Sequence, residues 1–295
     1  MTEDTIHHTE TDTHTGTTTT GHDWDGIKEL NTPLPRWWLW TFYACIVWAM
    51  GYWVVYPAWP GISGFTEGMF GWHSRTTILQ DLEGLKQIRA PGNAKLTQAS
   101  LAEIEKSPEL LGIARATAAP IFANNCAPCH GAGAAGAKGY PNLNDDDWLW
   151  GGKLEDIQLT LQHGIRWDAD KDTRVSAMPA FGKDGILKPE EISATADFVR
   201  TLSGLSADKP ENVAKGKAVF AENCAACHGE TGLGNQELGA PNLADKVWLY
   251  GSDKASIVNR INMGGGGVMP AWSEKFDATA IKALTVYVHS LGGGK

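Results

Sequence analysis

Positive charge is in short supply in this 295-residue chain: 25 Lys and Arg stand against 34 Asp and Glu, for a formal net charge of −9. That deficit removes the basic face on which nucleic-acid binding depends. It favours a basic protein as partner, because opposite charge speeds encounter. Cysteine is scarce as well. The five residues, Cys45, Cys126, Cys129, Cys224 and Cys227, are odd in number and do not suggest a disulfide framework. Large apolar residues are nearly missing from residues 1 to about 30, which are rich in Thr, His and acids. Such a stretch buries too little surface to offset chain entropy, so residues 1–36 are expected to form a disordered tail before the first helix. His7, His8, His14 and His22 are then solvated groups of that tail rather than metal ligands.

Charge of either sign is missing between Trp37 and Thr66. An apolar run of that length spans a bilayer, and a transmembrane helix is expected over residues 37–59. Trp37, Trp38 and Trp40 crowd one end and Tyr56 and Trp59 the other, the places of interfacial aromatic belts. Pro57 and Pro60 end the helix, and Cys45, mid-span, is a small apolar filler. The run is too long, and lacks a nearby small-residue cleavage site, for a signal peptide. Lys28 and Arg36 before the span, against Arg75, Lys86, Arg89 and Lys95 after it, leave orientation undecided by charge. Residues 60–107 read as a connector. Ile78, Leu82, Leu85 and Ile88 recur there at near-helical spacing, a short amphipathic helix for the membrane surface or a partner subunit.

The remainder is a sequence repeated twice. Phe122-Ala-Asn-Asn-Cys126-Ala-Pro-Cys129-His130-Gly131 matches Phe220-Ala-Glu-Asn-Cys224-Ala-Ala-Cys227-His228-Gly229. Pro141-Asn142-Leu143 matches Pro241-Asn242-Leu243, Trp148-Leu149-Trp150-Gly151 matches Trp248-Leu249-Tyr250-Gly251, and Met178-Pro179-Ala180-Phe181 matches Met269-Pro270-Ala271-Trp272. Each copy closes with an amphipathic helix, through Ile192, Thr195, Val199 and Leu202 in the first and Ile281, Leu284, Val288 and Leu291 in the second. The expected domains are residues 108–205 and 206–295, divided at a polar linker near Gly204 to Pro210.

Cys-x-x-Cys-His is the attachment pattern of a c-type haem. Cys126 and Cys129, and Cys224 and Cys227, would form thioethers to the two vinyl groups, and His130 and His228 would ligate iron. Zinc would want two further Cys or His per site, and a redox dithiol a βαβ setting; neither is present. Met178 and Met269 occupy equivalent places before a Pro and are the expected sixth ligands. Met263 is the rival in the second copy and His163 in the first. Ligation within each copy is the default, with a crossed arrangement as the alternative. Arg166, Trp148, Trp150 and Trp248 are candidates to bind haem propionates. The Gly264–Gly267 run is either a close backbone approach or a flexible loop. Two irons closed by His and Met transfer electrons and activate oxygen poorly.

These residues resemble the dihaem subunit III (CcoP/FixP type) of cbb3-type cytochrome c oxidases. The likeness runs from Asp25-Gly26-Ile27-Lys28-Glu29-Leu30 and Pro33-Leu34-Pro35-Arg36-Trp37-Trp38, through Tyr140-Pro141-Asn142-Leu143-Asn144-Asp145-Asp146-Asp147-Trp148-Leu149-Trp150-Gly151-Gly152 and His163-Gly164-Ile165-Arg166, to both Met-Pro loops. It implies an all-α fold, with one N-terminal transmembrane helix followed by two tandem class I cytochrome c domains and two haem c per chain. It further implies a non-catalytic electron-transfer subunit of a proton-pumping oxidase. Such a subunit takes electrons from a donor cytochrome c or the cytochrome bc1 complex and passes them to a monohaem cytochrome subunit and a haem–copper catalytic subunit. The expected location is the bacterial inner membrane, N-terminus cytoplasmic and haem domains periplasmic, where c-type haem is attached. A membrane-tethered shuttle and a dihaem peroxidase are the alternatives. The acidic clusters Asp145-Asp146-Asp147 and Asp168, Asp170, Asp172 place a basic donor nearer the first domain, unless they are only a solvated face.

Overall fold

The computed structural model describes residues 9–292, so His7 and His8 lie outside the described residues. The chain divides into two compact units, one ending at Lys86 and the other starting at Gln87.

In the first unit the tail departs from its reading. Thr19–Trp24 (β1) and Ile27–Leu30 (β2) pair antiparallel. Asp25 and Gly26 take left-handed φ of 56° and 87° between them, and the Gly26 N–H donates to Asp23 Oδ1 at 2.6 Å. Asp-Gly is a strong hairpin signal, and Thr favours extended backbone; composition alone had hidden this local turn chemistry. The helix Arg36–Val55 (α1) has no buried residue, and among the described residues it is the one helix long and apolar enough to cross a membrane. It is apolar all round, as a lipid-facing helix must be. It stops short of Trp59 because Pro57 forces Tyr56 out of helical geometry, to φ −117°, ψ 159°.

The connector is more helical than its periodicity suggested. Ser74–Gln98 (α2) runs for 25 residues, with Ile78, Leu82, Leu85 and Ile88 all exposed. Its last turn carries the fully buried Leu96. Leu101–Lys106 (α3) follows, opened by a capping box in which Ser100 and Glu103 each bond the other's backbone N–H. Leu101 and Ile104 join Leu96 in the first core below, so the core begins before residue 108.

The haem-motif region supplies Pro108–Asn125 (α4), Ala127–His130 (α5), Leu154–His163 (α6) and Pro189–Leu202 (α7) from the first copy. The second supplies Val213–Asn223 (α8), Ala225–His228 (α9), Lys254–Met263 (α10) and Ala278–His289 (α11). The helices of the two stretches, 108–205 and 206–295, pack across the copies rather than within them. Each closing helix completes the other copy. The last helix, α11, lies on α4 and α6, while α7 lies on α8 and α10. The first core therefore joins Ala114, Ala118, Phe122, Ile157 and Leu161 to Ile281, Leu284, Val286 and Val288. The second joins Ile192, Phe198 and Val199 to Val219, Phe220, Ile257 and Ile261. The same aromatic pair recurs in both, Phe122 with Tyr287 at 5.4 Å and Phe220 with Phe198 at 5.3 Å.

The physical reason lies in the connection. Only a short linker and a single 3-10 turn, Pro210–Asn212, separate α7 from α8, and short connections make sequential helices antiparallel neighbours. The two approach closely enough that Gly216 rests on the Ala194 carbonyl with no room for a Cβ. With α7 and α8 paired, α4 takes α11, held by Arg115 Nε to Ser290 Oγ at 3.2 Å, and α3 adds Glu105 against His289 Nδ1 at 2.7 Å.

One buried ion pair locks the exchanged helix. Asp197 on α7 is fully buried, and its Oδ2 accepts from Lys254 Nζ on α10 at 2.7 Å. Its Oδ1 accepts the N–H groups of Asp208 at 3.0 Å and Lys209 at 3.4 Å. Burial by itself raises this carboxyl pKa, but the Lys254 bond and the two N–H groups outweigh it and hold the group below its ordinary value. The stabilisation is therefore complete above about pH 4 and lost as the pH falls through the lower folded value. Asp197→Ala is expected to cost about 3–5 kcal/mol by leaving Lys254 unpaired. Denaturant unfolding checks this, and a loss no larger than the ~1 kcal/mol of a surface pair refutes it.

Candidate haem sites

Each Cys-x-x-Cys-His motif sits where one helix ends and a single turn begins. Cys126 caps α4, its N–H donating to the Phe122 carbonyl at 2.8 Å, and opens α5; Cys224 does the same between α8 and α9, bonded to Phe220 at 2.8 Å. One turn sets the two cysteines of each pair on the same side. Cys126 and Cys224 are buried and Cys129 and Cys227 exposed. Burial pushes the Cys126 and Cys224 thiols up to about 11, each helped by the neighbouring cysteine. That is the opposite of the lowered pKa of a redox-active thiol pair.

The histidines are oriented alike. His130 Nδ1 lies 3.0 Å from the Pro141 carbonyl, and His228 Nδ1 lies 3.0 Å from the Pro241 carbonyl. A carbonyl only accepts, so Nδ1 carries the proton and Nε2 keeps its lone pair for a metal. Burial lowers both imidazole pKa values, with the carbonyl bond opposing in part, which favours the neutral, ligating form. The loop that presents each carbonyl depends on glycine: Gly136 at φ 71° and Gly234 at φ 82° lie against the backbone of Tyr140–Asn142 and Ala240–Asn242, where a Cβ would clash. The repeat had paired Pro141 with Pro241 without giving either a role.

The methionines do not stay with their own copies. Met269 packs against the core that holds Cys126, and Met178 against the core that holds Cys224. Backbone bridges fix both crossings. Ile165 and Met269 exchange N–H···O bonds at 2.9 Å each, and Met178 and Gly265 exchange them at 3.3 and 2.6 Å. Gly264, at φ 57°, lies on the Met178 and Pro179 carbonyls with no space for a Cβ, so this end of the glycine run is a close approach between the copies. Met263 is half exposed, and His163 gives its Nδ1 to Asp170 Oδ2 at 3.0 Å.

The propionate candidates separate on hydrogen bonding. Trp148 packs against the first core with its Nε1 buried and lacking any acceptor. Trp248 packs against the second core. Trp150 lies under Gly239 of the other copy, and the Arg166 guanidinium is taken up by the carbonyls of Ser176 and Gly267. The paired cysteines, a free Nε2, a nearby thioether and an unpaired indole donor fit a haem, which brings vinyl groups, iron and carboxylates.

Within the acidic triplet Asp146 is exposed and Asp147 is partly buried. Burial, then Asp245 of the second copy and Asp145, push the Asp147 carboxyl up to about 6.

This fold and these two motif turns define a tandem c-type cytochrome carried on a candidate membrane helix. Comparison with known proteins narrows the class. Residues 16–63 match the N-terminal domain of cytochrome oxidase-cbb3, FixP; residues 116–203 match cytochrome c; and residues 211–288 match cytochrome c oxidase, cbb3-type, subunit III. The chain is 60% identical over 288 residues to the cbb3-type cytochrome c oxidase subunit FixP of Bradyrhizobium sp. (strain ORS 278), covering 98% of this chain and 99% of that one. It is 59% identical to FixP of Bradyrhizobium diazoefficiens with the same coverage. Against subunit CcoP of Cereibacter sphaeroides it is 48% identical, covering 94% and 95%. The chain belongs to the FixP/CcoP subunit family of cbb3-type cytochrome c oxidases.

Proposed function

We propose that this chain is the dihaem relay of a cbb3-type oxidase, with crossed iron ligands. His130 and Met269 would hold the haem attached at Cys126 and Cys129; His228 and Met178 would hold the haem attached at Cys224 and Cys227. The observation that carries the reading is the presence, in each core, of one Cys-x-x-Cys-His turn and one methionine from the opposite copy. Haem, when bound, supplies a one-electron iron couple whose potential a thioether ligand raises. The chain's own residues do the rest. The Pro141 and Pro241 carbonyls fix the imidazoles, and the two methionines would offer their thioethers to the irons. With His and Met both bound, the irons would transfer electrons rather than activate oxygen, as in a non-catalytic subunit.

Electrons enter from a donor cytochrome c or the cytochrome bc1 complex and leave to the monohaem cytochrome subunit and the haem–copper subunit. The α1 helix anchors the chain in the bacterial inner membrane, with the N-terminus cytoplasmic and the haem cores periplasmic. Purification from membranes in mild detergent tests the role. Co-purification with b-type haem and copper is expected; a chain that comes out alone would be a tethered shuttle instead. A change in the haem spectrum on adding peroxide would reveal an open iron and favour a peroxidase.

A further inference from the structure

Among the described residues, four buried side-chain donors lack an acceptor: Trp148 Nε1, Trp167 Nε1, Arg174 Nε and Arg200 Nε. All four belong to the first copy. Arg200 already has a carboxylate partner in Asp208. Trp167 Nε1 has no acceptor and Arg174 has its carboxylate only at 4.0 Å, and both residues lie on a stretch that the second copy lacks. The chain runs from Gly164 to Met178 in the first copy but only from Gly264 to Met269 in the second. The extra residues form a fixed loop. His163 Nδ1 holds Asp170, the backbone N–H of Trp167 donates to Thr173 Oγ1 at 3.1 Å, and the backbone N–H of Arg166 donates to the Arg174 carbonyl at 2.7 Å.

This loop stands at the first core. Ile165 bridges Met269 on one side and Arg174 on the other. Arg174 Nη2 donates to the Asp156 carbonyl at 3.3 Å, in the first turn of α6, and the guanidinium lies 5.1 Å from the Trp150 ring. Its one nearby carboxylate, Asp156, is 4.0 Å away and partly exposed, a weak counterion for a guanidinium that is only 14% exposed. Buried donors left unpaired are costly, and a cation in a sheltered site wants an anion.

Resting on the crossed dihaem reading above, we propose that Trp167 and Arg174 hold a carboxylate of the haem attached at Cys126 and Cys129, and that this raises its potential in a way the second haem does not share. A propionate charge favours oxidised iron. Neutralising that charge with a guanidinium and an indole N–H removes part of this preference. The two sites thus differ through residues on one loop, although their iron ligands are alike.

Redox titration of both haems in the purified full-length chain decides the matter, with the first haem assigned by its loss from a Cys126→Ser/Cys129→Ser variant. Arg174→Gln is expected to shift the first haem's reduction equilibrium about tenfold toward the oxidised form, ~59 mV for one electron. The second haem should stay where it was, and the axial-ligand spectrum should not change. Arg174→Lys should restore most of the shift, and Trp167→Phe should give a smaller one of the same sign. Lys171→Gln, an exposed change on the same loop, should give none. Unmoved potentials in Arg174→Gln and Trp167→Phe, or equal shifts of both haems, overturn the proposal. If Arg174→Gln does not assemble, Trp167→Phe decides by the same criterion. Absence of covalent haem from the unmodified chain would overturn the dihaem reading and this proposal with it.

Discussion

Met269→Ala will convert the haem on Cys126 and Cys129 from low spin to high spin and leave the haem on Cys224 and Cys227 as it was. Sequence order predicts the reverse, because Met269 follows Cys224. The structure places Met269 in the first core through its backbone exchange with Ile165 and places Met178 in the second through Gly265. Single-haem backgrounds make the test unambiguous. In a chain without Cys224 and Cys227, Met269→Ala should abolish the low-spin spectrum while Met178→Ala spares it; in a chain without Cys126 and Cys129 the roles exchange. Loss of the thioether should also lower the affected potential by on the order of a few hundred mV, within the ~0.8 V that axial ligands span. If each methionine affects the haem nearest to it in sequence, the crossed assignment is wrong.

Ending the chain after Asp277 should destroy the first haem site and spare the second. This is counter-intuitive, since the deletion lies at the far end of the second copy. The removed helix contributes Ile281, Leu284, Val286 and Val288, all nearly inaccessible to solvent, to the core around Cys126. None of them belongs to the core around Cys224. A milder version is Leu284→Ala, expected to cost about 2–5 kcal/mol as a cavity in a packed core. Haem stoichiometry of the truncated chain, and the melting of each haem's absorbance in Leu284→Ala, give the answer. Equal damage to both sites, or damage to the second alone, would show that α11 closes its own copy.

The repeat, its motif residues and the closing amphipathic helices were all legible in the sequence, because each rests on spacing within one segment. Ile281, Leu284 and Val288 share a face by periodicity alone. Which helix that face meets is not written in the periodicity, since α4 and α8 offer near-equivalent apolar surfaces through Phe122 and Phe220. The brevity of the linker before α8 was the available clue, and it served only to mark a boundary. Trp167 and Arg174 were missed for a different reason. They have no counterpart in the second copy, so aligning the copies passed over them; the longer interval between His130 and Met178 was the signal that something had been inserted there. Asp197 could be seen as a polar residue on an apolar face, but its partner Lys254 lies in the other copy. The hairpin at Asp25-Gly26 was hidden by a composition argument that discounted the whole tail.

The exchange of α7 and α11 also sets the order in which the chain supplies the parts of each core. The chain emerges from its N-terminus, so the first attachment motif appears well before the second. Yet the core around Cys224 is complete once α10 has followed α7 and α8, while the core around Cys126 must wait for the last helix of the chain. The motif made first is enclosed last. The two halves are therefore partners in packing: α7 closes the core around Cys224 and α11 closes the core around Cys126.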